Sequence, residues 1–82
     1  MNKKKLLKQI YNNNKNVQFN ELIVIAEAFG FIPARSDGSH FIYKNEKINE
    51  WINLQNKNGE AKPYQIKQLL SLIEKYNLKM ED

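Results

Sequence analysis

The sequence predicts an α+β fold, in which helices pack on one face of a three-stranded antiparallel sheet and the other face stays open. Two observations support this prediction. Apolar residues recur at helical spacing over residues 18–30 and again over residues 63–77. Between them, residues 31–55 change to an extended pattern that is interrupted by turn signals. With a shorter helical pattern over residues 3–11, the predicted order is α-α-β-β-β-α.

The first helical pattern, over residues 3–11, has a single apolar side. That side carries Leu6, Leu7, Ile10 and Tyr11. A helix of about two and a half turns is not stable alone in water. We therefore expect its apolar side to pack against the rest of the domain.

The second helix is predicted to start near residues 18–20, with Glu21 in its first turn and Gly30 as its C-terminal cap. Its apolar stripe is wide, because Ile23 and Val24 extend the helical set. A wide stripe indicates a helix packed on two sides. We expect the sheet on one side and the N-terminal helix on the other.

Three strands are predicted in the middle of the chain. Pro33 lacks an amide donor, so the first strand should lie at an edge of the sheet or carry a bulge. Gly38 permits the positive φ that a hairpin turn often needs. The predicted segments are strand Phe31–Arg35, turn Ser36–Gly38, strand Ser39–Lys44, strand Asn49–Gln55 and a polar loop over residues 56–62.

The register of the second and third strands follows from requiring one consistent apolar face. Pairing Lys44 with Asn49 sets Ile42 opposite Trp51 and His40 opposite Asn53. The predicted core face is Phe41, Tyr43, Ile52 and Leu54, and the predicted open face is His40, Ile42, Trp51 and Asn53. Trp51 either stacks on a nucleobase or packs across the strands on Ile42.

The last helix is predicted to begin at Pro63, which favours the first turn of a helix, and to run to about Asn77. Its predicted buried stripe consists of Ile66, Leu69, Leu70, Ile73 and Tyr76. All of this fits one domain over residues 1–82, which buries only about 60–65% of its unfolded surface.

Composition narrows the function classes. The net charge of +4 and the pI of 9.4 favour a polyanionic partner such as nucleic acid, although an AT-rich genome would also enrich lysine and asparagine. With no cysteine and one histidine, the chain lacks the ligands for a zinc cluster, and we expect neither a metal nor a cofactor. No signal peptide and no membrane span are evident, so we expect a cytoplasmic protein.

His40 is the candidate catalytic residue. Imidazole is the one side chain whose ordinary pKa, about 6.5, suits proton transfer near neutrality. The alternative is a half-exposed polar residue on a strand with no catalytic role.

The motifs resemble one known family. Gly30-Phe31, Arg35, the run Gly38-Ser39-His40-Phe41-Ile42-Tyr43, and Gly59 followed by Lys62-Pro63-Tyr64 resemble the HicA toxins of bacterial toxin–antitoxin pairs. The match covers residues 18–78, with residues 3–11 as an additional helix. It implies a double-stranded-RNA-binding-domain-like fold, metal-independent endoribonuclease activity on mRNA, catalysis by His40 and inhibition by a HicB-like antitoxin. Two positions differ from the family pattern. Members often carry a histidine where this chain has Lys57, and often a proline where it has Gln55.

Site roles follow from this resemblance together with the chemistry of RNA. His40 would move a proton, and the planar guanidinium of Arg35 would clamp a phosphate. We expect further RNA and phosphate contacts from Ser39, Lys44, Lys57 and Lys62, and a surface facing RNA or the antitoxin from Ile42, Trp51 and Asn53. The alternative function is a non-catalytic RNA-binding module of the same fold. A small DNA-binding domain is disfavoured, because no helix-turn-helix spacing is evident.

Overall fold

The computed structural model describes residues 2–81 and confirms the α+β fold. Its elements are α1 (Lys3–Asn12), α2 (Phe19–Ala28), β1 (Ile32–Asp37), β2 (His40–Asn45), β3 (Glu50–Lys57), β4 (Glu60–Ala61) and α3 (Pro63–Lys75). The strands form one antiparallel sheet in the order β1-β2-β3-β4, so the sheet has four strands where the sequence predicted three.

The fourth strand replaces part of the predicted polar loop over residues 56–62. β3 continues through Lys57, and Asn58 and Gly59 form a two-residue turn in which both φ angles are positive, at 54° and 87°. Asn-Gly with this geometry is the strongest short hairpin signal. The chain therefore reverses there, and β4 pairs back on β3 through Asn56 with Ala61.

The predicted register of β2 and β3 is wrong by two residues. His40 lies opposite Gln55, Ile42 opposite Asn53 and Lys44 opposite Trp51. The cause is the turn, which begins one residue later than predicted. The buried Asn45 side chain donates to the carbonyl of Phe29 at 3.0 Å and accepts from the amide of Lys47 at 3.0 Å, so it ends β2. The predicted core and open faces of β2 and β3 are nevertheless correct, because a shift of two residues leaves each side chain on the same side of the sheet.

β1 is an edge strand with an irregularity between Pro33 and Arg35, as its proline predicts. The turn that joins it to β2 differs from the prediction. Gly38 and Ser39 form a two-residue turn in which Gly38 has a φ of 61°, so Ser39 belongs to the turn and not to the strand. Asp37 consequently pairs with His40.

The helices cover one face of the sheet. α2 and α3 both contact β3, and beneath them Tyr43, Ile52 and Leu54 are buried. Phe41 packs on the same side, with its ring 5.2 Å from that of Phe19. No helix within residues 2–81 is both long enough and apolar enough to cross a membrane.

α2 is the central helix, and its ends are fixed locally. The backbone amide of Gln18 donates to the side-chain carboxylate of Glu21 at 3.0 Å, where the helix begins. At the other end Gly30 has a φ of 92°, and the amide of Phe31 donates to the carbonyl of Ala26 at 3.1 Å, as in a Schellman motif.

The two outer helices follow the predicted pattern with small differences. α1 packs on α2 and buries Leu6 and Ile10, whereas Tyr11 remains 46% exposed. α3 buries Ile66, Leu69, Leu70 and Ile73 as predicted. Tyr76 caps the end of α3 and is only half-buried; its hydroxyl donates to the Glu50 carboxylate at 2.6 Å, which raises the pKa of Tyr76.

Candidate functional site

Three rows of side chains lie on the uncovered side of the sheet, which we call the open face. Cross-strand pairing and the two-residue period of strands define these rows. The rows are Asp37, His40 and Gln55; Arg35, Ile42 and Asn53; and Ile32, Lys44 and Trp51. The predicted site residues His40, Arg35, Ile42, Lys44, Trp51 and Asn53 therefore share one face.

A cleft of about 480 Å³ lies at the end of the open face nearest the Gly38-Ser39 turn. Its lining consists of Arg35, Ser36, Asp37, His40, Ile42 and Asn53. The cleft thus contains the candidate catalytic imidazole and the candidate phosphate clamp together. It opens to solvent, since every one of these residues except Ile42 is exposed.

His40 is held in this cleft by one neighbour. Its Nδ1 atom lies 3.3 Å from the Oδ1 atom of Asn53. Because Asn53 pairs with Ile42, this hydrogen bond runs diagonally across the two strands. An amide oxygen only accepts, so this contact is a hydrogen bond in the tautomer that carries its proton on Nδ1, and within residues 2–81 the ring has no hydrogen-bond partner at Nε2.

Arg35 brings a cation to the same cleft. Among residues 2–81, the one ion pair closer than 4.0 Å joins Lys47 to Glu81, so the Arg35 guanidinium forms no direct ion pair with the Asp37 carboxylate in the same cleft. Its planar fork of donors matches the oxygens of a phosphate.

Lys44 and Trp51 lie at the opposite end of the open face. The Lys44 ammonium lies 4.8 Å from the centre of the Trp51 ring, and the indole is 53% exposed. The predicted direct pairing of Trp51 with Ile42 is wrong, because Lys44 occupies the position across from the indole. A half-exposed aromatic ring beside a cation is typical of surfaces that stack bases.

Three more predicted contact residues lie, like Lys44, outside the His40 cleft. Lys57 and Lys62 line a second cleft where α3 begins, together with the exposed ring of Tyr64. The Lys62 ammonium lies 5.9 Å from the centre of that ring. Ser39 lies in the β1–β2 turn, where its carbonyl accepts from the amide of Asn56 at 2.9 Å.

Two cleft residues, Ser36 and Asp37, were not among the sequence candidates. A signal for Asp37 was present, because a two-residue Gly38-Ser39 turn places Asp37 directly opposite His40. Within residues 2–81, no group of three histidine, cysteine, aspartate or glutamate side chains is placed to hold a metal ion.

The comparison with protein families decides the assignment. The sequence model described as the HicA toxin of bacterial toxin–antitoxin systems matches residues 19–74, which is more than half of the chain. The chain belongs to the HicA toxin family. Comparisons with curated proteins and with solved structures gave no significant match.

The HicA match spans the part of the chain that builds the site. It begins with α2, contains all four strands and ends within α3. The HicA segment therefore includes both clefts and the whole open face, whereas α1 lies outside it.

Proposed function

We propose that this HicA-family protein is the toxin of a bacterial toxin–antitoxin pair and acts as a metal-independent endoribonuclease on cytoplasmic mRNA. The observation that carries the proposal is the placement of His40, whose Nε2 is free, in one cleft with Arg35 in a chain of this family. A HicB-like antitoxin, made alongside the toxin, would hold this activity in check.

RNA makes such an enzyme chemically simple. Its 2′-hydroxyl is an internal nucleophile next to the phosphorus atom, so the protein does not have to supply one. The 2′-oxygen bonds to phosphorus, the bond from phosphorus to the 5′-oxygen breaks, and the 5′-oxygen gains a proton. Nε2 of His40 takes the proton that the 2′-hydroxyl loses. Water has access to the open cleft for the second proton transfer.

Arg35 supports this reaction electrostatically. The phosphate gains negative charge as the 2′-oxygen attacks, and a cation fixed beside it stabilises that charge. Arg35 lines the same cleft as His40 and is free of an ion pair with Asp37, so its guanidinium is available to the phosphate.

The remaining cations extend the RNA path. Lys44 and Trp51 offer a charge and a stacking surface at the far end of the open face, about 13 Å along β2 from His40 at strand spacing. Lys57, Lys62 and Ser39 lie beyond the cleft and would contact the backbone of the bound strand. Such contacts supply affinity that falls with salt, rather than catalysis.

We expect cleavage to proceed undiminished in excess EDTA. RNA carries its own nucleophile, and the proposed mechanism assigns no step to a divalent ion. The measurement is the rate of loss of a labelled RNA with and without chelator, with the same sequence in 2′-O-methyl form as the control that resists cleavage. Activity lost in EDTA and restored by a divalent cation would contradict the mechanism.

The substitution Arg35→Lys tests the clamp. Lysine keeps the charge but loses the bidentate geometry, so we expect the cleavage rate to fall about tenfold while RNA affinity changes little. The measurement compares kcat with the dissociation constant of a non-cleavable 2′-O-methyl RNA. Equal kcat in the two proteins would mean that Arg35 only attracts RNA.

A non-catalytic RNA-binding module would give a different pattern. It would hold RNA with salt-sensitive affinity and leave the strand intact in every one of these assays.

A further inference from the structure

The contact between His40 and Asn53 has a chemical direction. Oδ1 of the amide only accepts hydrogen bonds, so the 3.3 Å contact forms when Nδ1 of the imidazole carries the proton. Within residues 2–81 this is the one hydrogen bond that the His40 ring makes. The protonation pattern of the ring therefore depends on a single neighbour.

The direction matters because the two nitrogens of a neutral imidazole have opposite roles. The hydrogen bond at one nitrogen sets which nitrogen holds the proton. In water the neutral histidine side chain carries its proton mainly on Nε2. A ring nitrogen that already holds a proton cannot act as a base. A partner that keeps the proton on Nδ1 converts Nε2 into a base and also fixes the plane of the ring.

Asn53 is well placed to do this, because the sheet fixes where its side chain points. Its neighbours along β3, Ile52 and Leu54, are 1% and 0% exposed and pack under the helices. The alternation of the strand then directs Asn53 to the open face. Because Asn53 pairs with Ile42, it lies two residues along β2 from His40.

The amide also suits the substrate better than a carboxylate would. A carboxylate at this position would place a negative charge beside the phosphate of an incoming RNA and would favour the charged imidazolium. An amide orients the ring without adding a charge. The open face already carries one carboxylate, Asp37, across from His40 on β1.

We propose that Asn53 is a positioning residue, which holds the proton of neutral His40 on Nδ1 and presents Nε2 to the RNA 2′-hydroxyl. This inference rests on the proposed ribonuclease function and goes beyond it, because it assigns the tautomer of the base and the residue that sets it.

The test uses the fact that His40 is the single histidine of the chain. In protein labelled with ¹⁵N, the two imidazole signals belong to one residue, and their chemical shifts above the titration range report the tautomer. We expect the Nδ1-protonated form to dominate in the wild type and the Nε2-protonated form to dominate in Asn53→Leu. The exposed Asn20→Leu on α2 is the matched control and should leave the imidazole signals unchanged.

Cleavage kinetics complete the test. We expect Asn53→Leu to lower kcat about tenfold with little change in KM, in keeping with the loss of one ordinary hydrogen bond. Asn53→Asp restores an acceptor and should return the proton to Nδ1, while the added charge raises KM for RNA. These two readouts separate a positioning role from a general loss of structure.

Three results would overturn the inference. They are a wild-type ring protonated on Nε2, an unchanged tautomer in Asn53→Leu, and a switched tautomer with undiminished kcat. If the wild-type protein does not cleave RNA at all, the proposed function fails instead, and the ¹⁵N spectrum still shows whether Asn53 sets the tautomer.

Discussion

Replacing His40 with alanine is expected to abolish RNA cleavage and cell toxicity while the fold stays intact. General acid–base groups contribute about 10² to 10⁴ in rate, so the cleavage rate should fall by a factor in that range if His40 is the proton-transfer group. The side chain is exposed on the open face and contributes no core area, and within residues 2–81 it makes one hydrogen bond, to Asn53. The cleavage rate of a labelled RNA measures the effect.

Two measurements and a control variant separate a chemical defect from a structural one. Thermal unfolding of His40→Ala should follow the wild-type curve within a few degrees, since loss of a single surface hydrogen bond has a small effect on stability. RNA affinity should persist, because it comes chiefly from the lysines. The exposed substitution Glu46→Ala, in the β2–β3 turn, serves as the control. Undiminished cleavage by His40→Ala would remove the basis of the proposed mechanism.

The faces of the sheet could be predicted from the sequence, but the pairing of residues across it could not. Alternation alone assigns Tyr43 and Ile52 to the core and His40 and Trp51 to the open face, because side chains in a strand have a period of two. The register depends on where each turn begins. That position was set by the buried Asn45, whose amide joins β2 to the end of α2 through the carbonyl of Phe29.

The same limit applies to the turns. Asn58-Gly59 was available in the sequence as a hairpin signal, yet the polar residues around it favoured a loop, and β4 was missed. At the other hairpin, the turn was predicted at Ser36–Gly38 and lies at Gly38-Ser39, and this error hid the pairing of Asp37 with His40. Local turn geometry therefore decided which polar residues entered the site.

The candidate site was predictable where residues lie on neighbouring strands and unpredictable where they do not. His40 and Arg35 share a cleft because β1 and β2 form one hairpin. Lys57 and Lys62 carry the same type of charge, but they lie at the end of β3 and the start of α3 and line a separate cleft. Charge in a sequence indicates a polyanionic partner, but only the fold determines which cations act together.

The open face also offers an inhibitor a surface to bind. It exposes the apolar side chains Ile32 and Trp51, at 51% and 53%, beside the cations Lys44 and Arg35. Such a surface suits an acidic protein with an apolar anchor, because opposite charges speed association and a buried aromatic residue often supplies much of the binding energy. We therefore expect a HicB-like antitoxin, encoded next to this gene, to cover His40 and exclude RNA.

The substitution Trp51→Ala is expected to weaken antitoxin binding about thirtyfold, the loss of about 2 kcal/mol that defines an interface hot spot. The reason is that the antitoxin would bury the indole of Trp51, which is 53% exposed and has the Lys44 ammonium 4.8 Å from its ring centre. Titration calorimetry of the antitoxin against both proteins measures the change. Tyr11→Ala is the matched control, since Tyr11 is a comparably exposed aromatic residue on α1, away from the open face. Unchanged affinity in Trp51→Ala, or RNA cleavage that continues with saturating antitoxin, would show that inhibition does not act through this face.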